Sequence, residues 1–132
     1  MLPPRVLIVD NEPMVGFALK RLLEARGALR AVTALSAEEA EAEIARGGVD
    51  VMILDYHLTG MRGDAFFHRA RELQPSLATR TLFITGDPSP HANAAISATG
   101  RPMLVKPFLV SELVEAMTRM CAAGETRETR SA

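Results

Sequence analysis

Cysteine is almost absent from this chain: Cys121 stands alone among 132 residues. No intramolecular disulfide can form, no cysteine pair accompanies a histidine, and a reducing, cytoplasmic setting is the expectation. Long hydrophobic runs are missing too. Nothing approaches the roughly 20 apolar residues that a membrane-spanning helix needs. The start, Met1-Leu2-Pro3-Pro4-Arg5, leads into a strand-like segment without a secretory pattern. An excess of one charge is also lacking, and a net charge of −1 predicts no attraction to nucleic acid or an anionic membrane. The thirteen arginines are scattered, with no basic stripe and no stacking aromatics, which argues against direct DNA binding. His57, His68 and His91 have no metal-ligand spacing and read as surface or loop residues. No G-x-x-x-x-G-K-S/T phosphate loop occurs.

What is present fits one soluble globular domain with room for a proper core: 48% hydrophobic and 23% charged residues. The chain is organised around Val51-Met52-Ile53-Leu54-Asp55. Four apolar residues running into one aspartate read as a strand buried on both faces, as in a parallel sheet. Aspartate is a poor strand residue and costly to bury unpaired, so Asp55 is placed just past the strand's C-terminal end. Arg5 to Val9, ending at Asp10, repeats the pattern. Asn11 or Glu12 then reads as a helix cap with Pro13 in the first turn. Val15, Ala18, Leu19, Leu22 and Leu23 follow at helical spacing, and Gly27 is the expected terminator.

Leu29 to Ala34 reads as a second strand. Ser36 with Glu39 forms a capping-box pattern opening a helix that runs to Gly47-Gly48. After the central strand, Gly60 to Gly63 loop into a helix with Asp64 as its cap and Ala65, Phe66, Ala70 and Leu73 on its inner face. Thr81 to Thr85 is the fourth strand, His91 to Thr99 a weakly amphipathic helix, and Pro102 to Val105 the fifth strand. Ser111 is read as the cap of a last helix ending near Ala122. Met117 and Met120 are assigned to the core, and Cys121 to the same helix's apolar side or end, without a role. Residues 1–122 form the domain, and 123–132 a polar, frayed tail. Five strands alternating with five helices imply right-handed βαβ units and helices on both faces of a parallel sheet.

Strands of such a sheet present their C-terminal ends at one edge, where reacting groups gather. Asp10-Asn11-Glu12, Asp55, Thr85 and Lys106 should therefore converge. Clustered oxygens suit Mg²⁺, which takes hard ligands and keeps several waters. Lys106 offers a charge for a phosphate oxygen and Thr85 a hydroxyl donor. Asp55 is a candidate nucleophile towards phosphorus, with Mg²⁺ offsetting the repulsion between carboxylate and phosphoryl group. Each residue alone has a plainer reading: Asp10 as a helix cap, Thr85 as a turn residue, Lys106 as a solvated surface charge. Their joint placement outweighs those readings.

Over about residues 5 to 122 the chain resembles a response-regulator receiver domain of two-component signalling, in single-domain form. The motifs are Val9-Asp10-Asn11-Glu12-Pro13, Leu54-Asp55-Tyr56-His57-Leu58 with Gly63, Ile84-Thr85-Gly86, and Lys106-Pro107-Phe108. The resemblance implies a flavodoxin-like, doubly wound sheet of five parallel strands, order 2-1-3-4-5, between layers of five helices. It implies that Asp55 accepts phosphate from a sensor histidine kinase or histidine phosphotransfer protein. Mg²⁺ is expected on Asp10, Asp55, the backbone carbonyl of His57 and the amide oxygen of Asn11. Lys106 is expected to pair with the phosphoryl group before a cis Lys106–Pro107 bond, and Thr85 to shift onto a phosphoryl oxygen. No turnover enzyme is implied beyond self-catalysed phosphotransfer and slow dephosphorylation.

The face from Thr85 to Phe108 is the expected contact for a downstream protein or a second copy. Three positions depart from the family's pattern: Asn11 replaces an acid, Thr59 a proline, and Met103 the aromatic switch residue. They raise a rival reading, a pseudo-receiver that binds partners without phosphorylation. An aspartyl phosphatase is disfavoured, because it would want a second acid two residues after the nucleophile, where His57 stands.

Overall fold

The computed structural model describes residues 3–25, 29–87 and 89–131, with side chains through Cys121. Five parallel strands form the sheet: β1 (Arg5–Val9), β2 (Arg30–Ala34), β3 (Val51–Asp55), β4 (Thr81–Thr85) and β5 (Met103–Val105). Their spatial order is 2-1-3-4-5, every pairing parallel. Helices α1 (Pro13–Ala25), α2 (Ala37–Arg46), α3 (Gly63–Leu73) and α4 (Pro90–Ser97) lie in the four connections, and α5 (Val110–Ser131) follows the last strand. This is the flavodoxin-like arrangement expected.

Strand periodicity sorts the core into two halves. Leu7, Val9, Met52, Leu54 and Phe83 point to one face, where they meet Ala40 and Ile44 of α2, Phe66, Phe67 and Ala70 of α3, and Ala92 and Ile96 of α4. Their neighbours Val6, Ile8, Val51, Ile53, Leu82 and Ile84 point to the other face, against Leu19 and Leu23 of α1 and Leu113, Met117 and Met120 of α5. Alternation by two residues within each strand, with both sides covered, is the physical content of a doubly wound sheet. No helix among the described residues is long and apolar enough to cross a membrane.

Several local expectations shift. Asp55 is the last residue of β3 rather than the first beyond it, because its amide neighbour Tyr56 still donates to Ile84 O at 3.0 Å. Asp64 does not cap α3: Arg62 occupies that position and Asp64 lies in the first turn. The buried face of α3 is Gly63, Phe66, Phe67 and Ala70, while Ala65 and Leu73 are exposed.

Ser111 likewise lies inside α5. Leu109 O accepts the Leu113 amide, and Glu112 Oε1 reaches back to the Leu109 N–H at 2.9 Å, so the acid three residues on supplies the cap. At α2 the expected box is offset: Ser36 Oγ accepts the Glu39 N–H, but the Glu39 carboxylate takes the Leu35 N–H. Helix α5 runs on to Ser131, past Ala122. Gly27 lies outside the described residues.

The hairpin after β3 is an addition. His57–Leu58 pairs antiparallel with Met61–Arg62, and Gly60 turns it at φ 80°, a left-handed value glycine adopts without strain.

Because Phe66 is fully buried and Leu73 41% exposed, their truncations should differ sharply. Phe66→Ala should cost about 3–5 kcal/mol and Leu73→Ala no more than about 0.5 kcal/mol in urea unfolding. Equal losses would contradict the packing of α3.

Candidate functional site

Register brings the strand ends together. Val9 lies opposite Leu54, and Asp55 opposite Ile84, so Asp10, one step beyond Val9, emerges beside Asp55. Thr85 pairs with Val105, and the Lys106 amide donates to Thr85 O at 2.7 Å. Across the edge, Lys106 Nζ donates to Asp10 Oδ2 at 3.1 Å and to Asp55 Oδ2 at 3.3 Å. The other carboxylate oxygens accept backbone amides: Glu12 N–H on Asp10 Oδ1 at 2.9 Å, and His57 N–H on Asp55 Oδ1 at 3.1 Å. Both acids are nearly dry, at 1% and 4% exposure.

Two buried carboxylates thus share one ammonium. Burial, and then the charge of Asp10, push the Asp55 carboxyl above its ordinary value. The His57 amide and Lys106 oppose this without cancelling it. Lys106 is also held above its ordinary value: burial works against its charge, and the bond to Asp10 with the charges of both acids outweighs that. The site carries more negative charge than it neutralises.

Glycine at 63 is required by contact. A methyl group there would lie 2.5 Å from Asp55 O and 2.7 Å from Tyr56 Cα. Only a bare backbone lets α3 start against the end of β3, where Gly63 N–H donates to Tyr56 O at 2.6 Å.

The other expected residues stand around this cluster. Thr85 is fully buried, and its Oγ1 accepts the Asp87 N–H at 2.9 Å while keeping an O–H to donate. Asn11 is exposed, and its amide nitrogen donates to Thr59 Oγ1 at 3.3 Å. It therefore clasps the hairpin rather than joining the carboxylates. The Lys106–Pro107 peptide is cis. Met103 is half-buried and packs against the core half containing Phe83, Ala92 and Ile96.

Two contacts escaped the sequence reading. His57 Nε2 lies 2.9 Å from Asp87 Oδ2, bridging the loops after β3 and β4. The fully buried Tyr56 belongs to the core, and its hydroxyl has no hydrogen-bond partner among the described residues. The run Asp87-Pro88-Ser89 is a recognisable turn signal in the sequence, but nothing there pairs Asp87 with a histidine 30 positions away. A separate cavity of about 550 Å³, lined by Met14, Phe17, Thr33 and Leu35 among others, lies along α1 and contains neither Asp10 nor Asp55.

The response regulator receiver domain family matches over residues 6–118. The chain belongs to that family. Among curated relatives, the transcriptional regulatory protein TrcR of Mycobacterium tuberculosis is 33% identical over 113 residues, 85% of this chain and 43% of that protein. The sensory/regulatory protein RpfC of Xanthomonas campestris is 28% identical over 122 residues, 90% of this chain and 17% of that protein. The chain therefore spans less than half of either. Among solved structures, a CheY-like receiver domain protein from Methanospirillum hungatei superposes with a TM-score of 0.87 at 24% identity, covering 96% of this chain and 99% of that one. The Vibrio cholerae chemotaxis protein CheY4 gives 0.80 at 27% identity, covering 90% and 99%.

Receiver domains are phosphoacceptor switches and generally bind Mg²⁺ at the acidic pocket. The donor chemistry here fits. No group of three His, Cys, Asp or Glu side chains able to hold a metal occurs among the described residues. Mg²⁺, however, is usually bound by one or two carboxylates and keeps several waters. Two buried carboxylates against one ammonium leave an excess of negative charge that a divalent cation would relieve.

That charge has a measurable cost. A folded-state value raised above the unfolded one means the folded chain holds the extra proton. The contribution of Asp55 is thus full below its ordinary 3.8 and is lost as pH rises through the raised value. Lys106, raised from 10.5, loses its contribution only in alkali. In Mg²⁺-free buffer, Asp55→Asn should gain melting temperature relative to the parent as pH rises from about 4 to 7. A gap that widens towards acid would contradict the charge account.

Proposed function

We propose that the chain is a phosphoaccepting signalling switch whose nucleophile is the Asp55 carboxylate. The carrying observation is that Asp55 ends β3 beside Asp10, both bonded to Lys106 Nζ. In the transfer, a carboxylate oxygen of Asp55 attacks phosphorus, the P–N bond of a donor phosphohistidine breaks, and the electron pair stays on the imidazole. Bound Mg²⁺ supplies charge neutralisation between carboxylate and phosphoryl oxygens. Asp10 and Asp55 would hold it, with the His57 carbonyl as a further ligand. Lys106 then exchanges an Asp55 oxygen for a phosphoryl oxygen, and the Thr85 hydroxyl donates to another.

The donor class is a sensor histidine kinase or a histidine phosphotransfer protein, and the output is a contact with a downstream protein. The domain itself is not assigned a DNA-binding role. In support, Arg5, Arg46, Arg62 and Arg69 are paired with the acids Glu43, Asp64 and Glu41 rather than gathered in a stripe of unpaired charge.

One observation favours the pseudo-receiver as a second reading: Asn11 bonds Thr59, so the site has two acids where relatives of the usual pattern have three. Intact-mass measurement after incubation with Mg²⁺ and a small acyl phosphate separates the readings. The switch predicts one phosphoryl addition, absent from Asp55→Ala and prevented by EDTA. No addition, even with candidate kinases supplied, would support the pseudo-receiver.

A further inference from the structure

We propose that the His57–Asp87 pair is a latch that holds the loop between β4 and α4 in its resting position until Asp55 is phosphorylated. The inference rests on the phosphoacceptor reading and adds to it the route by which the site reaches the surface.

A continuous set of bonds joins the two. His57 N–H donates to Asp55 Oδ1, and the ring nitrogen of the same residue meets Asp87 Oδ2 at 2.9 Å. The second oxygen of Asp87 accepts the Ser89 N–H at 2.8 Å. Ser89 in turn caps α4, its Oγ accepting the Ala92 N–H at 3.1 Å. The Asp87 N–H also occupies Thr85 Oγ1. Thr85 cannot move towards Asp55 without carrying Asp87, and Asp87 cannot move without leaving His57 or taking the start of α4 with it.

The element at the far end is lightly held. Helix α4 has eight residues and buries two, Ala92 and Ile96. An aromatic rotor is missing, since position 103 is a methionine packed on the same core half. On the near side, the Tyr56 ring meets the His57 ring edge-on at 4.9 Å. Its buried hydroxyl makes no hydrogen bond among the described residues, so a shift of this hairpin breaks none of those.

The trigger is electrostatic. A phosphoryl group on Asp55 places a dianion with strong acceptor oxygens two residues from His57. It repels the Asp87 carboxylate and competes for the imidazole. Both effects weaken the same contact, and the loop and α4 are released together. The pair is half-exposed, at 57% and 29% for the two side chains, so its effect is modest: about two- to five-fold in the closed-to-open ratio.

Hydrogen–deuterium exchange of the segment 86–98 tests this, with intact mass recorded on the same samples. In unphosphorylated protein, His57→Ala should speed exchange of that segment about two- to five-fold. Asp87→Ala should do so at least as much, because it also frees Ser89. Adding His57→Ala to Asp87→Ala should change nothing further. Phosphorylated parent protein should reach the His57→Ala level. Parent-like exchange in His57→Ala, or an equal acceleration by His57→Ala in the Asp87→Ala background, overturns the latch while leaving phosphorylation standing. A parent protein whose mass shows no phosphoryl group overturns the function itself, and the trigger with it.

Discussion

Two carboxylates at the ends of neighbouring strands share one lysine in a nearly dry site. The sheet register forces this, because Asp10 follows Val9, and Val9 lies opposite Leu54. Apolar side chains before both aspartates are fully buried, so neither strand can slide to separate the acids. A one-residue slip would turn each strand's core side chains to the wrong face. The backbone amides of Glu12 and His57 and the Lys106 ammonium each satisfy part of the charge. They do not satisfy all of it, since two carboxylates face one ammonium; burial, and then the charge of Asp10, hold the Asp55 carboxyl above its ordinary value. The switch we propose rests on this shortage: the resting site folds with its charge incompletely met.

The layers around it serve that placement. Helices α2, α3 and α4 cover one face, and α1 and α5 the other, which keeps water from the lower part of the site. Gly63 lets α3 begin in contact with the last peptide of β3. The loops at the open edge differ in how they are tied. Asn11 and Thr59 hold the first loop to the hairpin, and His57 and Asp87 hold the hairpin to the loop before α4. Two of the positions that depart from the family's pattern, 11 and 59, are therefore bonded to each other. Their change reads as one exchange of a clasp rather than two separate losses.

Much of this was legible in the chain. Runs such as Val51 to Leu54 before Asp55 announce buried strands, and four of them closing on polar residues locate the edge where the site forms. What stayed hidden has physical causes. The inner face of α3 was read correctly at Phe66 and Ala70 but not at Ala65 and Leu73, because its helical stripe starts at Gly63, a residue without a side chain to count. The caps at Asp64 and Ser111 were misplaced because a polar residue near a helix start fits either the cap or the first turn, and backbone bonds decide which. Glu112, reaching back to Leu109, does the work assigned to the serine. The His57–Asp87 contact depends on where two loops lie in space, and no spacing rule covers it.

The account depends most on the claim that Asp10 and Asp55 together hold charge for a cation. Amide NMR during a Mg²⁺ titration tests it directly. Saturable shifts should appear at Glu12, Asp55 and His57, whose amides touch or belong to the two carboxylates, and they should vanish in a folded Asp10→Asn variant. Shifts that are absent from the parent, or that persist at those residues without the Asp10 charge, would contradict it.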